Sequence, residues 1–245
     1  MTTAADDYLT LLAETLLRLR DQGETLQGAG ALVAQTLIDD GLVHVFGSGH
    51  SHMLAEELFY RAGGLGAVNP VLVDSLMLHA NASLSTELER TPGLGTALFA
   101  GLQAVERDTL IVVTNSGANL VAIELATAAR ARGMAVIAII SRRHADSAVS
   151  RGGGATPLDA LADVVLDNLG VPGDAAIAVP GLDRPMGPTS SVIGTAMVNA
   201  IALTAAGIAA QRGAPAAVFA SSNVVGGDEA NAGILDRYRG RVRSL

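Results

Sequence analysis

The run Leu42-Val43-His44-Val45-Phe46-Gly47-Ser48-Gly49-His50-Ser51 passes in ten residues from a β-rich segment into a turn of glycines and hydroxyls. Four of its first five residues are apolar without alternation, the pattern of a strand buried on both faces. Outward from it the same grammar repeats. Further β-rich runs fall at 71–73, 110–113, 136–140 and 164–166. Helix-like stretches lie between them, at about 51–61, 95–105, 117–132 and 159–162. This alternation predicts an α/β fold, a three-layer sandwich whose five-stranded parallel sheet is covered by helices on both faces. Upstream, Leu9, Leu12, Leu16 and Leu19 recur at spacings of three and four, so residues 1–40 read as a helical arm preceding a domain over 41–245. The arm covers either a neighbouring subunit or its own core, and Gly28 and Gly30 mark a break or a close contact within it. Downstream, 191–210 carries no charge over twenty residues. It is long enough to span a membrane, but is rich in alanine and threonine, with Asn199 near its middle. It reads as a helix buried between sheet and partner, with no membrane role. A polar helix from about Glu229 closes the chain.

Composition narrows the chemistry. Of 245 residues, 49% are hydrophobic and 16% charged, which excludes disorder. Sixteen basic against twenty-four acidic residues give a net charge of −8, which argues against nucleic acid as a partner. The short tail Arg237, Arg239, Arg241 and Arg243 reads instead as cations at a helix end. Every basic residue is arginine. Without lysine there is no Schiff base, no pyridoxal phosphate anchor and no Walker-type phosphate loop. Without cysteine there is no disulfide, thiolate nucleophile or thiolate metal site. Tryptophan is absent and aromatics make up 3%, so stacked flavins or bases are disfavoured. The opening MTTAADD lacks the parts of a secretory signal, and a cytoplasmic location is expected. Carboxylates, five histidines, hydroxyls, amides and arginines remain, and no cofactor is expected.

Parallel sheets bind ligands beyond the carboxyl ends of their strands. Two strand exits here are rich in small hydrogen-bonding residues. The first is Gly47-Ser48-Gly49-His50-Ser51; the other is Thr114-Asn115-Ser116-Gly117-Ala118-Asn119. Each precedes a helix, whose unpaired N–H groups and positive dipole end suit an anion, and Ser116 is placed to cap the second helix. Neither loop fits the dinucleotide fingerprint or a nucleophile elbow. A hydroxyl-and-amide cradle for a phosphate ester remains, with Ser48, Gly49, His50, Ser51, Thr114, Asn115, Ser116, Gly117 and Asn119 as its binding residues.

GSGHS and VTNSGAN, each followed by a helix, resemble the sugar isomerase (SIS) phosphosugar-binding family over roughly residues 42–213. The resemblance implies a flavodoxin-like sheet and a sugar phosphate held by the loop after the central strand. It also implies a homodimer or homotetramer with sites at subunit interfaces. Carried over by position, Ser51 belongs to the first loop, and Thr114, Ser116 and Asn119 to the phosphate loop. Asn119 departs from the commoner Thr or Ser, and Ala118 from a frequent polar residue. The chain looks most like compact members related to N-acetylmuramic acid 6-phosphate etherases and N-acetylglucosamine 6-phosphate dehydratases.

Removing a proton beside an open-chain aldehyde needs a base at C2, and elimination also needs an acid at O3. Candidates are Glu57, with its neighbour Glu56, in Ala55-Glu56-Glu57-Leu58, and Glu87 and Glu89 in Ser85-Thr86-Glu87-Leu88-Glu89-Arg90, with His79 in reserve. The heptose phosphate isomerases carry a similar Ala-Glu-Glu-Leu whose catalytic glutamate maps to Glu57, although here it follows the loop serine more closely by about a helical turn. The etherases place a second glutamate before the same strand, which does not separate Glu87 from Glu89. His50 and His52 are not read as a metal site, and Arg142-Arg143 reads as surface decoration. The expectation is a cofactor-independent carbon–oxygen lyase, a dehydratase or etherase, acting on an N-acetylhexosamine 6-phosphate. An aldose–ketose isomerase and a non-catalytic phosphosugar sensor are the alternatives.

Overall fold

The computed structural model describes residues 3–147 and 155–245. Five strands form one all-parallel sheet: β1 (Val43–Gly47), β2 (Val68–Val71), β3 (Thr109–Val113), β4 (Ala135–Ile140) and β5 (Val164–Asp167), in the order β2-β1-β3-β4-β5. The described helices are α1 (Ala4–Arg18), α2 (Gly23–Ile38), α3 (Met53–Leu58), α4 (Leu78–Leu88), α5 (Leu94–Gly101), α6 (Leu120–Ala131), α7 (Arg142–Ser147), α8 (Leu158–Leu161), α9 (Ser190–Gln211) and α10 (Gly227–Tyr238).

Side chains alternate across a strand, so the sheet divides its apolar residues between two cores. Val43, Val45, Ile111, Val113, Ile137 and Ile139 face one side, packed with α1, α2, α3 and α9. Phe46, Leu110, Val112, Val136, Ala138 and Ile140 face the other, under α5, α6 and α8. Both faces are buried, which is why the strands read as continuous hydrophobic runs. The N-terminal helices belong to this packing: Leu12, Ala29, Val33 and Ala34 are core residues. Where α2 crosses α9, a Cβ on Gly30 would lie 2.4 Å from Thr204. The uncharged α9 is the one helix among the described residues long and apolar enough to cross a membrane. It buries Ile193, Met197, Val198 and Ile201 in the first core.

Three boundaries differ from the sequence pattern. The second strand runs Val68–Val71, not 71–73, and contains Asn69 and Pro70. Pro70 removes a ladder donor, and β2 tolerates it because it lies at the sheet edge. The helix expected at 51–61 is a 3₁₀ turn, Gly49–His52, followed by the six-residue α3, which stops where Phe59 turns extended. The helix expected at 95–105 is α5, which ends at Gly101; residues 142–147, of which only Arg142 and Arg143 were read, as surface, form α7.

One polar cluster is buried near the strand starts. His44 and Asn69 are register partners on β1 and β2, and Asn69 Nδ2 donates to His44 Nδ1 at 2.8 Å. His44 Nε2 lies 3.2 Å from Asp108, which also accepts the N–H groups of Leu42 and Val105. Burial pushes the Asp108 carboxyl up. The bonds from His44, Val105 and Leu42 outweigh it and hold the group below the usual carboxylate range.

Candidate functional site

Because β1 and β3 are adjacent and in register, with Gly47 opposite Val113, both polar exits open at one end of the sheet. There they line a cleft of about 540 Å³. Ser48 and Ser51 come from the first exit, and Thr114, Asn115, Ser116, Ala118 and Asn119 from the second. Glu89, just past α4, forms part of the wall; His144 and Ser147 of α7 and Gly173 of the turn Pro172–Asp174 also line it. The first exit folds back so tightly that a Cβ on Gly47 would lie 2.5 Å from the Ser51 backbone. Gly49 and Gly117 hold positive φ angles at the two turns.

Three hydrogen-bond relays set which groups the cleft presents. Ser48 Oγ donates to Glu89 Oε2 at 2.8 Å, so this serine orients the carboxylate. The Gly170 N–H donates to Asn168 Oδ1, so Asn168 must turn its Nδ2 outward, and Nδ2 donates to Asn115 Oδ1 at 2.7 Å. Asn115 in turn has its oxygen occupied and its amide protons left for a ligand. The Gly173 N–H donates to His144 Nδ1 at 2.8 Å. Ser141 Oγ donates to the Gly170 carbonyl and accepts the His144 N–H, tying α7 to the segment that leads into that turn.

The second exit leads into α6, where Asn119 is the N-cap and makes no side-chain capping bond. Ser116, expected as the cap, instead accepts the N–H of Ala118 within the loop. The Val121 N–H donates to the Glu89 carbonyl, which fastens the helix start to the opposite wall. Positive helix end, hydroxyls and amide protons converge on one space, and no arginine lines it among the described residues. Among the described residues Glu89 is the only carboxylate that lines it.

Other sequence candidates lie elsewhere. Glu87 and His79 are exposed and do not line the cleft. Glu57 is paired with Arg61 and accepts from Asn199 Nδ2 of α9 at 2.7 Å. With Glu56, Met53, Arg61 and Ala62 it lines a separate depression of about 410 Å³. His50 is exposed, and His52 bonds the Gly49 carbonyl through Nδ1. Among the described residues no three His, Asp or Glu side chains gather as metal ligands. The sequence reading missed His144, Ser147 and Gly173. Strand exit and Ser141 together were the available signal, since Ile140-Ser141-Arg142-Arg143-His144 leaves the sheet beside the phosphate-type loop.

A parallel sheet with two polar exits and a carboxylate gathered at one end defines an α/β protein with a polar cleft at the carboxyl ends of its strands. The chain belongs to the SIS-domain family, whose pattern it matches over residues 7–141. It is 37% identical over 241 residues to a UPF0309 protein of Geobacillus thermodenitrificans, covering 98% of this chain and 97% of that one. To a UPF0309 protein of Brucella anthropi it is 40% identical over 243 residues, covering 98% of each. Among solved structures, a phosphoheptose isomerase from Francisella tularensis matches with a TM-score of 0.52 at 15% identity, over 83% of this chain and 98% of that one. That likeness concerns the fold.

Proposed function

We propose that this protein binds an N-acetylhexosamine 6-phosphate and, using Glu89 as base, eliminates its 3-substituent. The observation that carries the reading is the single cleft joining both strand-exit loops to Glu89. The phosphate sits in the Thr114–Asn119 loop, against the α6 N-terminus and the Asn115 amide, donors that suit a dianion. Glu89 removes the proton from C2 of the open-chain sugar, and the electron pair becomes an enolate over C2, C1 and O1. That pair then forms the C2–C3 double bond as the C3–O3 bond breaks. Glu89 returns its proton to the departing oxygen, giving water or lactate and an unsaturated aldehyde phosphate. No cofactor is required.

Aldose–ketose isomerisation is the second reading: with Glu89 the one carboxylate lining the cleft among the described residues, the proton taken from C2 of a 2-hydroxy aldose can return to C1. Incubation with N-acetylglucosamine 6-phosphate or N-acetylmuramic acid 6-phosphate in deuterated buffer separates these readings. A rise in ultraviolet absorbance from a conjugated product supports elimination. A parallel incubation with glucose 6-phosphate, which has the free 2-hydroxyl that a ketose product requires, supports isomerisation if it yields a ketose carrying deuterium at C1 with no loss of water. Tight binding with neither leaves a sensor. We further propose that the active form is a homo-oligomer in which a second copy covers α9, whose outward residues include exposed Val192 and Leu203.

A further inference from the structure

We infer that His144 is a catalytic hydrogen-bond donor, presenting a neutral Nε2–H to the substrate oxygen that becomes negative when Glu89 takes the C2 proton. This rests on the phosphosugar reading above. His144 lines the cleft, and its Nδ1 accepts the Gly173 N–H at 2.8 Å. A backbone N–H can only donate, so Nδ1 carries no proton, and the proton of a neutral ring is on Nε2. The ring is also held in place from its own backbone. The His144 N–H is fixed on Ser141 Oγ, and its carbonyl accepts Ser147 Oγ at 2.9 Å. Ser141 is fully buried, so this anchor is part of the sheet end and not a surface contact.

Placement supports the same role. The strand order sets the β1 exit, with Glu89 bound to it, on one side of the β3 loop and the β4 exit, with His144, on the other. A sugar phosphate anchored at the β3 loop therefore meets a hydrogen-bond acceptor from one side and a donor from the other. When Glu89 takes the C2 proton, the C2–H electron pair moves into the C1–C2 bond and the C1–O1 π pair moves to O1. The Nε2–H bonds that oxygen and keeps its own proton. The charge then returns as the C2–C3 double bond forms and the C3–O3 bond breaks. A donor fixed in advance is worth more to the enolate than to the neutral aldehyde, which is the condition for rate acceleration.

The test follows C2 deuterium exchange of N-acetylglucosamine 6-phosphate, and its dissociation constant, in wild type and two variants. His144→Ala is expected to slow exchange by about 100- to 1000-fold with affinity changed less than about threefold, while His144→Gln, which restores an N–H near Nε2, recovers about tenfold of that loss. Nitrogen NMR of the wild-type ring is expected to show the proton on Nε2 and Nδ1 bare. Exchange in His144→Ala at the wild-type rate, or a ring protonated on Nδ1, overturns the inference and leaves the phosphosugar reading standing. Wild-type protein that binds no sugar phosphate overturns both.

Discussion

At the level of single residues, the cleft's polarity is decided by backbone N–H groups that never touch a ligand. The Gly170 N–H fixes the orientation of Asn168, and Asn168 fixes that of Asn115. Asn168→Asp tests this relay, because an aspartate accepts on both oxygens and forces Asn115 to turn its amide protons inward. Calorimetry with N-acetylglucosamine 6-phosphate is expected to show binding weakened by about 1–3 kcal/mol, with the fold retained. Glu89→Gln keeps a partner for Ser48 Oγ but removes the base. It is expected to leave affinity close to wild type while C2 exchange falls by about 100-fold or more. The loop residues were legible in the sequence because hydroxyls, amides and glycines cluster directly after a buried strand. His144 was not, because the two arginines before it gave that exit the look of ordinary surface. Asn168 was hidden for another reason: a relay needs partners 53 residues apart, which spacing along the chain does not reveal.

Among the elements, α9 and α2 do the most to support the sheet face opposite α6. Their backbones approach closely at Gly30, where a side chain would meet Thr204. Gly30→Leu is expected to cost about 1–3 kcal/mol by overpacking, read as a lowered thermal midpoint. On the outward face of α9, Leu203 is 74% exposed. Leu203→Glu is expected to leave the monomer folded and to shift sedimentation toward a smaller species, as the proposed covering by a second copy requires. Four strands and the long uncharged helix were readable from hydrophobic runs: β1, β3 and β4 are buried almost throughout, and α9 buries one side in the first core. The second strand was displaced in the reading because Pro70 resembles a strand boundary, and only the sheet order shows that an edge excuses it. The shortness of α3 was likewise invisible, since Glu56 to Arg61 continues a helical pattern that the extended Phe59 cuts off.

For the molecule as a whole, stability at low pH depends on the cluster that pins the strand starts. Asp108 has its carboxyl held below the ordinary value of 3.8 by His44, Val105 and Leu42. A depressed folded-state value means that the unfolded chain takes up the proton first. The contribution is therefore complete above 3.8 and is lost as pH falls below it toward the folded-state value. Thermal melts are expected to show the wild type losing stability through that window, with a shallower slope in Asp108→Asn. At the opposite end of the same strands, the adjacency of β1 and β3 makes one site of two loops that sequence could only nominate separately. The most direct measurement of that claim is a crystal soaked with N-acetylglucosamine 6-phosphate, compared with one soaked with N-acetylglucosamine. The account predicts that the phosphorylated sugar alone occupies the cleft, its phosphate within hydrogen-bonding distance of Asn115 and the start of α6. A phosphate bound away from residues 114–119, or equal occupancy by the unphosphorylated sugar, would contradict it.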